Sequence, residues 1–579
     1  MPFSLPHAVN PSGFDTPRSS SPRSGSPRSG SPRPTSRRSR RALTVGIAIA
    51  SVGLLAALTL QATPAHAASS GGKTVTIVEP DNNMGWAIDY AFSGLEQETN
   101  VQATLLKKPY AKTKQKGIQT QVTDKFVPYL AKSMDVSTDG LVYTFHLNTK
   151  VVSDQGNHLN APDVLWSFER KFNAPTAISY PVASPVWYDP AKQIKVINNS
   201  TVSFTLTNAG YGTTFKALMS DLLGQVYDAT YLKKHTTTSD PWAVKFSATH
   251  PNFGFGPYRV ESFNASTGAT LVAQKNYALG VPKVTKVIVR IVPDSGARVT
   301  AVEAGSASIA ENVDPAASAQ AEKNKSVTVP KVSDSNQYIE FPLMTNKAPF
   351  NNELVRQAMA YAVPYDKIIK NVFHGLAVRN GSGFLDRKAA GYDGSGLPDY
   401  SYDVAKSKAL LAQAGVTTPV KFAITVSASD SDMINTAIQI QSYAAAAGFQ
   451  ITINKESQSA FNLQRTDHSS QSFLTRDYAV TMTPGYELLV YTAKGSSNNF
   501  ADWEYQPFYD AVNKGYAYSD AFSAEAGKAW NAAEQIYINA SPIVFIGQTQ
   551  PSVLLSSKVT GWAAKSDQWM DYSNLDVGN

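Results

Sequence analysis

Cysteine is absent from all 579 residues, and this limits the chain more than any motif it contains. Disulfides, thiol nucleophiles, cysteine zinc sites and a lipid-bearing N-terminal cysteine are excluded together. If the chain is exported, its stability must come from the size of its core rather than from covalent cross-links. The material for a core is present, because 42% of the residues are hydrophobic and 17% are charged, as in an ordinary soluble globular protein. At about 150 residues per domain, residues 68–579 correspond to roughly three structural units.

Charge is distributed unevenly. The net charge of +7 arises in the first 67 residues, which contain arginines 18, 23, 28, 33, 37, 38, 40 and 41, no lysine, and Asp15 as the one acid. The remainder is electrically balanced, so no basic face for nucleic acid is implied. Residues 1–36 repeat Ser-Pro-Arg-Ser-Gly from Ser21 and again from Ser26. That composition predicts a disordered leader extension, or translation from an upstream start. Residues 37–67 read as a signal peptide: the cationic Arg37–Arg41, the apolar run Ala42–Leu60, then Ala65-His66-Ala67, with cleavage expected after Ala67. An uncleaved membrane anchor is the alternative. Ser39-Arg40-Arg41 also resembles a twin-arginine export signal, leaving the export route open. Without cysteine the product is not expected to be a lipoprotein.

Beyond the leader, Thr74–Val78 reads as a strand. Leu141–Leu147 is a second, in which Leu141, Tyr143, Phe145 and Leu147 share one face. Asn160, with Pro162 and Asp163 behind it, caps a helix that buries Val164, Leu165 and Phe168. A hairpin is predicted over Tyr258–Phe263 and Ala269–Gln274. A strand follows at Val284–Val292, then a helix from Ser295 to Ala304 with Gly305 just past its end. From about residue 330 longer helices alternate with strands: helix Asn352–Val363, helix Val404–Ala414, strand Val420–Val426, helix Asp432–Ala447 and strand Phe449–Ile453. Such alternation predicts an α/β lobe.

Several of these stretches carry a family resemblance. They include Asp139–Leu147 (Asp-Gly-Leu-Val-Tyr-Thr-Phe-His-Leu), Asn160–Arg170 (Asn-Ala-Pro-Asp-Val-Leu-Trp-Ser-Phe-Glu-Arg), Gly256–Val260, Lys275–Tyr277, Arg290–Asp294 and Arg298–Gly305. Pro349–Ala362, Tyr402–Gly415, Ala540–Pro542 and Val559–Gly561 follow in the same order. The chain resembles the family 5 solute-binding proteins of ABC transporters, the group of dipeptide, oligopeptide and nickel receptors. The resemblance implies an α/β, two-lobed periplasmic-binding-protein-like fold (large cluster C type) with a discontinuous first lobe and a hinge. It places residues 68–330 plus 545–579 in the first lobe, with an inserted subdomain at about 107–200, and residues 331–544 in the second. The implied function is capture of a small organic solute between the lobes and its delivery to an ABC permease. A monomer without a cofactor is expected.

One departure bears on the ligand. Peptide receptors of the family carry an Asp within a Gly-Trp-x-Ala-Asp-Tyr stretch that pairs with the ligand's amino terminus. The corresponding Asp477–Leu489 lacks that tryptophan. Glu487, beside Tyr486, could supply the carboxylate instead, and either a peptide or an oligosaccharide suits the chain. Trp86, Asn82 and Asn83 after the first strand, and Asn499 and Trp503 after the shortened loop, complete the candidate ligand contacts.

Catalytic readings find little support. The histidines of the main body are scattered at 146, 158, 235, 250, 374 and 468, with no His-Glu-x-x-His pair for a metal and no Gly-x-Ser-x-Gly elbow. A carboxylate pair for glycoside hydrolysis depends on the fold rather than on spacing in the chain. An exported carbohydrate-active enzyme and a ligand-sensing receptor on the same scaffold therefore stand as alternatives.

Overall fold

The computed structural model describes residues 72–80, 86–87, 96–174, 186, 189–264, 266–332, 337–379, 381, 383–387, 389–479, 481–494 and 498–578. The expected signal peptide, Asn82 and Asn83 lie outside them.

Lys73–Glu79 is the spine of the first sheet. Val75, Ile77 and Val78 are all buried, as a central strand covered on both faces requires. It pairs in parallel with Val284–Ile291 on one side and Ile309–Ala310 on the other. The hairpin Tyr258–Asn264 and Gly268–Ala273 extends the sheet beyond Val284–Ile291. Its turn depends on Gly268, whose φ is +123° and where a Cβ would lie 2.0 Å from the Val289 carbonyl oxygen. At the other edge, Leu554–Ser556 enters antiparallel between Ile309–Ala310 and Val327–Thr328. Seven strands from the start, middle and tail of the chain thus form one sheet.

A four-stranded antiparallel sheet is inserted in this lobe, ordered Ala131–Val136, Val142–Leu147, Thr201–Thr205, Ile194–Asn198. Helix Ala161–Asn173 covers it, with Phe168 edge-on to Phe204 at 5.3 Å. The expected cap is present as a reciprocal pair: the Asp163 amide donates to Asn160 Oδ1 at 3.0 Å, and the Asn160 amide donates to Asp163 Oδ2 at 3.0 Å. A cap of this kind contributes about 1 kcal/mol. Leu165, expected in the buried stripe, is only half-buried, while Trp166 and Ser167 are buried.

The second lobe is built on Gln337–Pro342, flanked antiparallel by Ile543–Thr549 and Thr475–Tyr478, with Ala377–Val378 at the edge. The strands Val420–Ser427 and Phe449–Glu456 form a separate parallel pair joined through helix Ser431–Ala444. Helix Glu353–Ala362 is capped by Asn352, and helix Val404–Gln413 is followed by Gly415 at φ +66°.

The chain crosses from the first sheet to the second after Val332 and returns between Thr549 and Leu554. Ile543–Thr549 pairs wholly within the second sheet, so the return comes after Thr549 rather than at residue 545. The crossings are tied together, because the Val332 amide donates to Gln550 Oε1 at 2.6 Å and Thr549 Oγ1 donates to Gln337 Oε1 at 2.7 Å. One hydrophobic cluster fills the first sheet around Val75, Val287 and Trp562. A larger one runs from Phe145 and Phe215 of the inserted unit to Tyr338 and Trp530. The inserted unit therefore packs on the second lobe, with Tyr211 edge-on to Tyr516 at 4.8 Å and Thr214 and Thr483 hydroxyls 3.0 Å apart.

Candidate functional site

Parallel strands converge their carboxyl ends on one side of a sheet, and crevices form beyond those ends. In the first sheet that rule selects Glu79, the last residue of its strand, and Glu311, which directly follows Ile309–Ala310. Both line a cavity of about 270 Å³ whose far wall includes Gln337 and Tyr478 of the second lobe. The tail segment from Trp562 to Met570 closes it, contributing Lys565 and Trp569. A second cavity of about 410 Å³ shares Asn312, Gln337 and Ser552 with the first. A third, of about 150 Å³, shares Ala564 and Lys565 and reaches Asp386 and Met482. A chain of cavities therefore follows the seam between the lobes.

The first cavity has an acidic wall. Glu96 is held at both oxygens: Tyr572 Oη donates to Oε1 at 2.7 Å and the Met570 amide donates to Oε2 at 2.9 Å. Glu96 and Glu311 also share a hydrogen bond. Burial raises Glu96, against its hydrogen bonds. Glu311 is raised well above the usual carboxylate range by burial first, then by the charges of Glu96 and Glu79. Like charges at such spacing cannot both ionise cheaply. Asn100 fixes the tail against this wall, donating to the Met570 carbonyl at 2.8 Å and accepting from the Tyr572 amide at 2.7 Å.

Across the cavity, Lys565 Nζ lies 3.0 Å from Asp567 Oδ2. Burial opposes the lysine's charge, but Asp567 and Asp571 outweigh it and raise the ammonium's pKa. Tyr478 and Trp569 meet edge-on at 6.1 Å, one ring from each lobe. Buried Lys108 donates to Asp221 at 2.8 Å and to Thr481 Oγ1 of the second lobe at 3.3 Å. In the second cavity Arg476 bonds Asp430 at 2.8 Å and Asp432 at 3.1 Å. Among the described residues, no group of three His, Cys, Asp or Glu side chains could hold a metal ion.

The residues singled out by sequence fall elsewhere. Glu487, on helix Pro484–Val490, is 1% exposed and faces Tyr338 Oη at 3.4 Å. Burial, then Asp386 and Glu534, raise it well above the usual carboxylate range. Tyr486 is buried near the carboxylates of Asp221 and Asp477, and burial raises its hydroxyl. Trp86 packs edge-on against Phe263 at 5.3 Å in the first core. The Asn499 side chain holds the Trp503 backbone, Nδ2 donating to its carbonyl at 2.9 Å and Oδ1 accepting its amide at 3.0 Å, while the Trp503 ring packs on Phe508 and Tyr537. None of the three cavities is lined by Glu487, Tyr486, Trp86, Asn499 or Trp503. Trp86 and Trp503 are committed to packing and Asn499 to a local hydrogen-bond pair, while Glu487 keeps one oxygen without a hydrogen-bond partner. Sequence reasoning missed Glu96, Glu311, Tyr478, Lys565 and Trp569. Position at a strand's carboxyl end could have flagged Glu79, but no local signal marks the tail residues.

The family model for bacterial extracellular solute-binding proteins, family 5 (middle), matches residues 125–499. The chain belongs to this family. It is the solute-binding component of an ABC importer, extracytoplasmic and not an enzyme. This family 5 protein is 25% identical over 480 residues to the dipeptide-binding protein of Escherichia coli K12, covering 79% of this chain and 87% of that one. It is 27% identical over 479 residues to the glutathione-binding protein GsiB of Pectobacterium atrosepticum, covering 78% and 86%. Its fold matches the periplasmic binding protein DppA of Helicobacter pylori in complex with the peptide STSA, with a TM-score of 0.73 at 23% identity, over 88% of this chain and 98% of that one. The two-lobed architecture with a discontinuous first lobe is thus that of the family.

Proposed function

We propose that this family 5 protein captures short peptides in the seam between its lobes and presents them to an ABC permease. The observation that carries this reading is the cavity lined from both sides, by Glu79 and Glu311 of the first sheet and by Gln337 and Tyr478 of the second. A ligand held there touches both lobes only when they are together, so its binding energy favours the closed form. The peptide and glutathione receptors among its relatives, and the peptide in the Helicobacter protein, support the ligand class.

The lobes in this reading are residues 68–330 with the tail after Thr549, and residues 331–549, the inserted unit belonging to the first. Export follows from the leader, with cleavage after Ala67 and a monomeric, unlipidated product. Among the described residues, no helix is long and apolar enough to cross a membrane.

The test is thermal melting of the purified protein with dipeptides, tripeptides and oligosaccharides. A peptide at a hundredfold excess over its dissociation constant stabilises the folded form by about 2.7 kcal/mol. X-ray scattering should show compaction with the same peptide. Stabilisation by oligosaccharides alone, or by neither class, would remove the peptide reading.

A further inference from the structure

A separate cavity of about 380 Å³ lies within the first lobe, between the inserted unit and the tail. Its lining falls wholly within residues 99–257 and 565–574, so no residue of the second lobe lines it, and it shares Lys565 alone with the first cavity of the seam. Through Tyr110, Tyr129 and Asn574 it adjoins a further cavity of about 690 Å³. Volumes of this order suit small-molecule sites. Strand Gln225–Val226, paired with Ala103–Thr104, and the turn Leu222–Gly224 before it set Asp221 and Gln225 in the same wall.

The hydrogen bonding of that wall is one-sided. Its serine and threonine hydroxyls already donate, Thr99 to the Glu96 carbonyl at 2.9 Å, Thr104 to the Leu106 carbonyl at 2.5 Å, Ser220 to the Ala217 carbonyl at 2.6 Å and Ser573 to Asp571 Oδ1 at 2.5 Å. Tyr110 donates to Asp571 Oδ2 at 2.8 Å, and Lys108 to Asp221 Oδ2 at 2.8 Å. Two acceptors are left over. Asp221 Oδ1 and Gln225 Oε1 have no hydrogen-bond partner, although Asp221 is 3% and Gln225 1% exposed. Buried polar atoms normally find partners, so this wall is short of donors. Its charges are already matched, lysines 107, 108 and 565 against aspartates 221, 567 and 571.

We propose that this cavity is a second ligand site, for a small neutral polyol such as a monosaccharide or sugar alcohol. Hydroxyls donate to Asp221 Oδ1 and Gln225 Oε1 without adding charge to a balanced wall. The hydroxyls of Tyr110 and Tyr129 are bonded to Asp571 and Tyr277, so these residues offer the ligand ring surface, which suits the C–H face of a sugar. The site is independent of the peptide reading, because it lies outside the seam and takes a different chemistry.

The experiment titrates glucose, sorbitol, myo-inositol and gluconate into the unmodified protein and Gln225→Met, by calorimetry and saturation-transfer NMR. Millimolar concentrations keep clear of the general stabilisation that concentrated polyols give by exclusion from the surface. At least one neutral polyol should bind, and Gln225→Met should weaken it at least about fivefold while leaving trialanine binding unchanged. Gluconate, with the hydroxyls of a sugar and a negative charge, should bind at least about fivefold more weakly than sorbitol. Saturating trialanine should not displace the polyol. Crystals soaked in the tightest polyol locate it whatever the variant or the peptide does. Density for it between Asp221 and Gln225 supports the site, while density in the seam, or water alone in the cavity, overturns it. Failure of all three neutral polyols to bind overturns it as well, as does binding that Gln225→Met leaves untouched or that trialanine abolishes. Gluconate binding as tightly as sorbitol overturns the neutral class. None of these results bears on whether the seam takes peptides, so the two readings fail separately.

Discussion

Each lobe holds a group of buried acids, and the two groups do different things. In the first lobe, Glu79, Glu96 and Glu311 line an open cavity. In the second, Glu534 is closed on the backbone, with Oε1 accepting the Phe384 amide at 2.8 Å and the Leu385 amide at 3.1 Å, and Glu487 lies close enough to add its charge. Both groups hold carboxyls above their ordinary range, chiefly through burial. A perturbed acid therefore does not by itself mark a binding site. What separates the two groups is place: Glu79, Glu96 and Glu311 line a cavity that residues of the second lobe also line.

Removing an acid from each group sharpens this contrast most. Glu534→Ala leaves two buried amides without an acceptor and should lower stability by about 3 kcal/mol in chemical denaturation. Glu311→Ala removes a like charge from a crowded wall and should leave stability unchanged or slightly raised, as expected where a site is kept at the expense of stability. Equal losses in the two variants would erase the distinction.

The next effect is read through pH. Burial raises Glu534 from its ordinary 4.5 to about 7, against its backbone hydrogen bonds. The folded state thus binds this proton more tightly than the unfolded state. Stability is greatest below pH 4.5 and falls as pH climbs from there to about 7, by up to about 3 kcal/mol for this group. Glu534→Gln should flatten that part of the denaturation-midpoint profile. An unchanged slope would mean that Glu534 is ionised throughout.

The scaffold was legible because its signals are local. Alternation placed the strand Val142–Leu147, Asn160 and Asp163 capped their helix as their spacing required, and Gly305 and Gly415 ended theirs in left-handed conformations. The candidate site was not legible, because it is assembled from residues hundreds of positions apart. Glu96 meets Met570 and Tyr572, and Tyr478 meets Trp569, through a return of the chain that no local pattern announces. Trp503 and Asn499 illustrate the converse. Their residue types suit a ligand, but their positions turn them onto each other.

Glu487 gives the smallest expected effect and the sharpest decision between the sequence and the structure. Resemblance to peptide receptors assigns an amino-terminal contact to its region of the chain. The structure instead starts a helix at Pro484 and turns Glu487 inward, leaving Oε2 without a hydrogen-bond partner. Glu487→Gln keeps the shape and removes a charge repelled by Asp386 and Glu534. Peptide affinity should change by less than about twofold, below 0.5 kcal/mol, while stability near neutral pH holds or rises. The same substitution at Glu311 should weaken trialanine by at least about tenfold, so titrating both variants under one condition gives a direct ratio. A large loss at Glu487 with little at Glu311 would reverse the roles of the two acid groups and move peptide recognition to the second lobe.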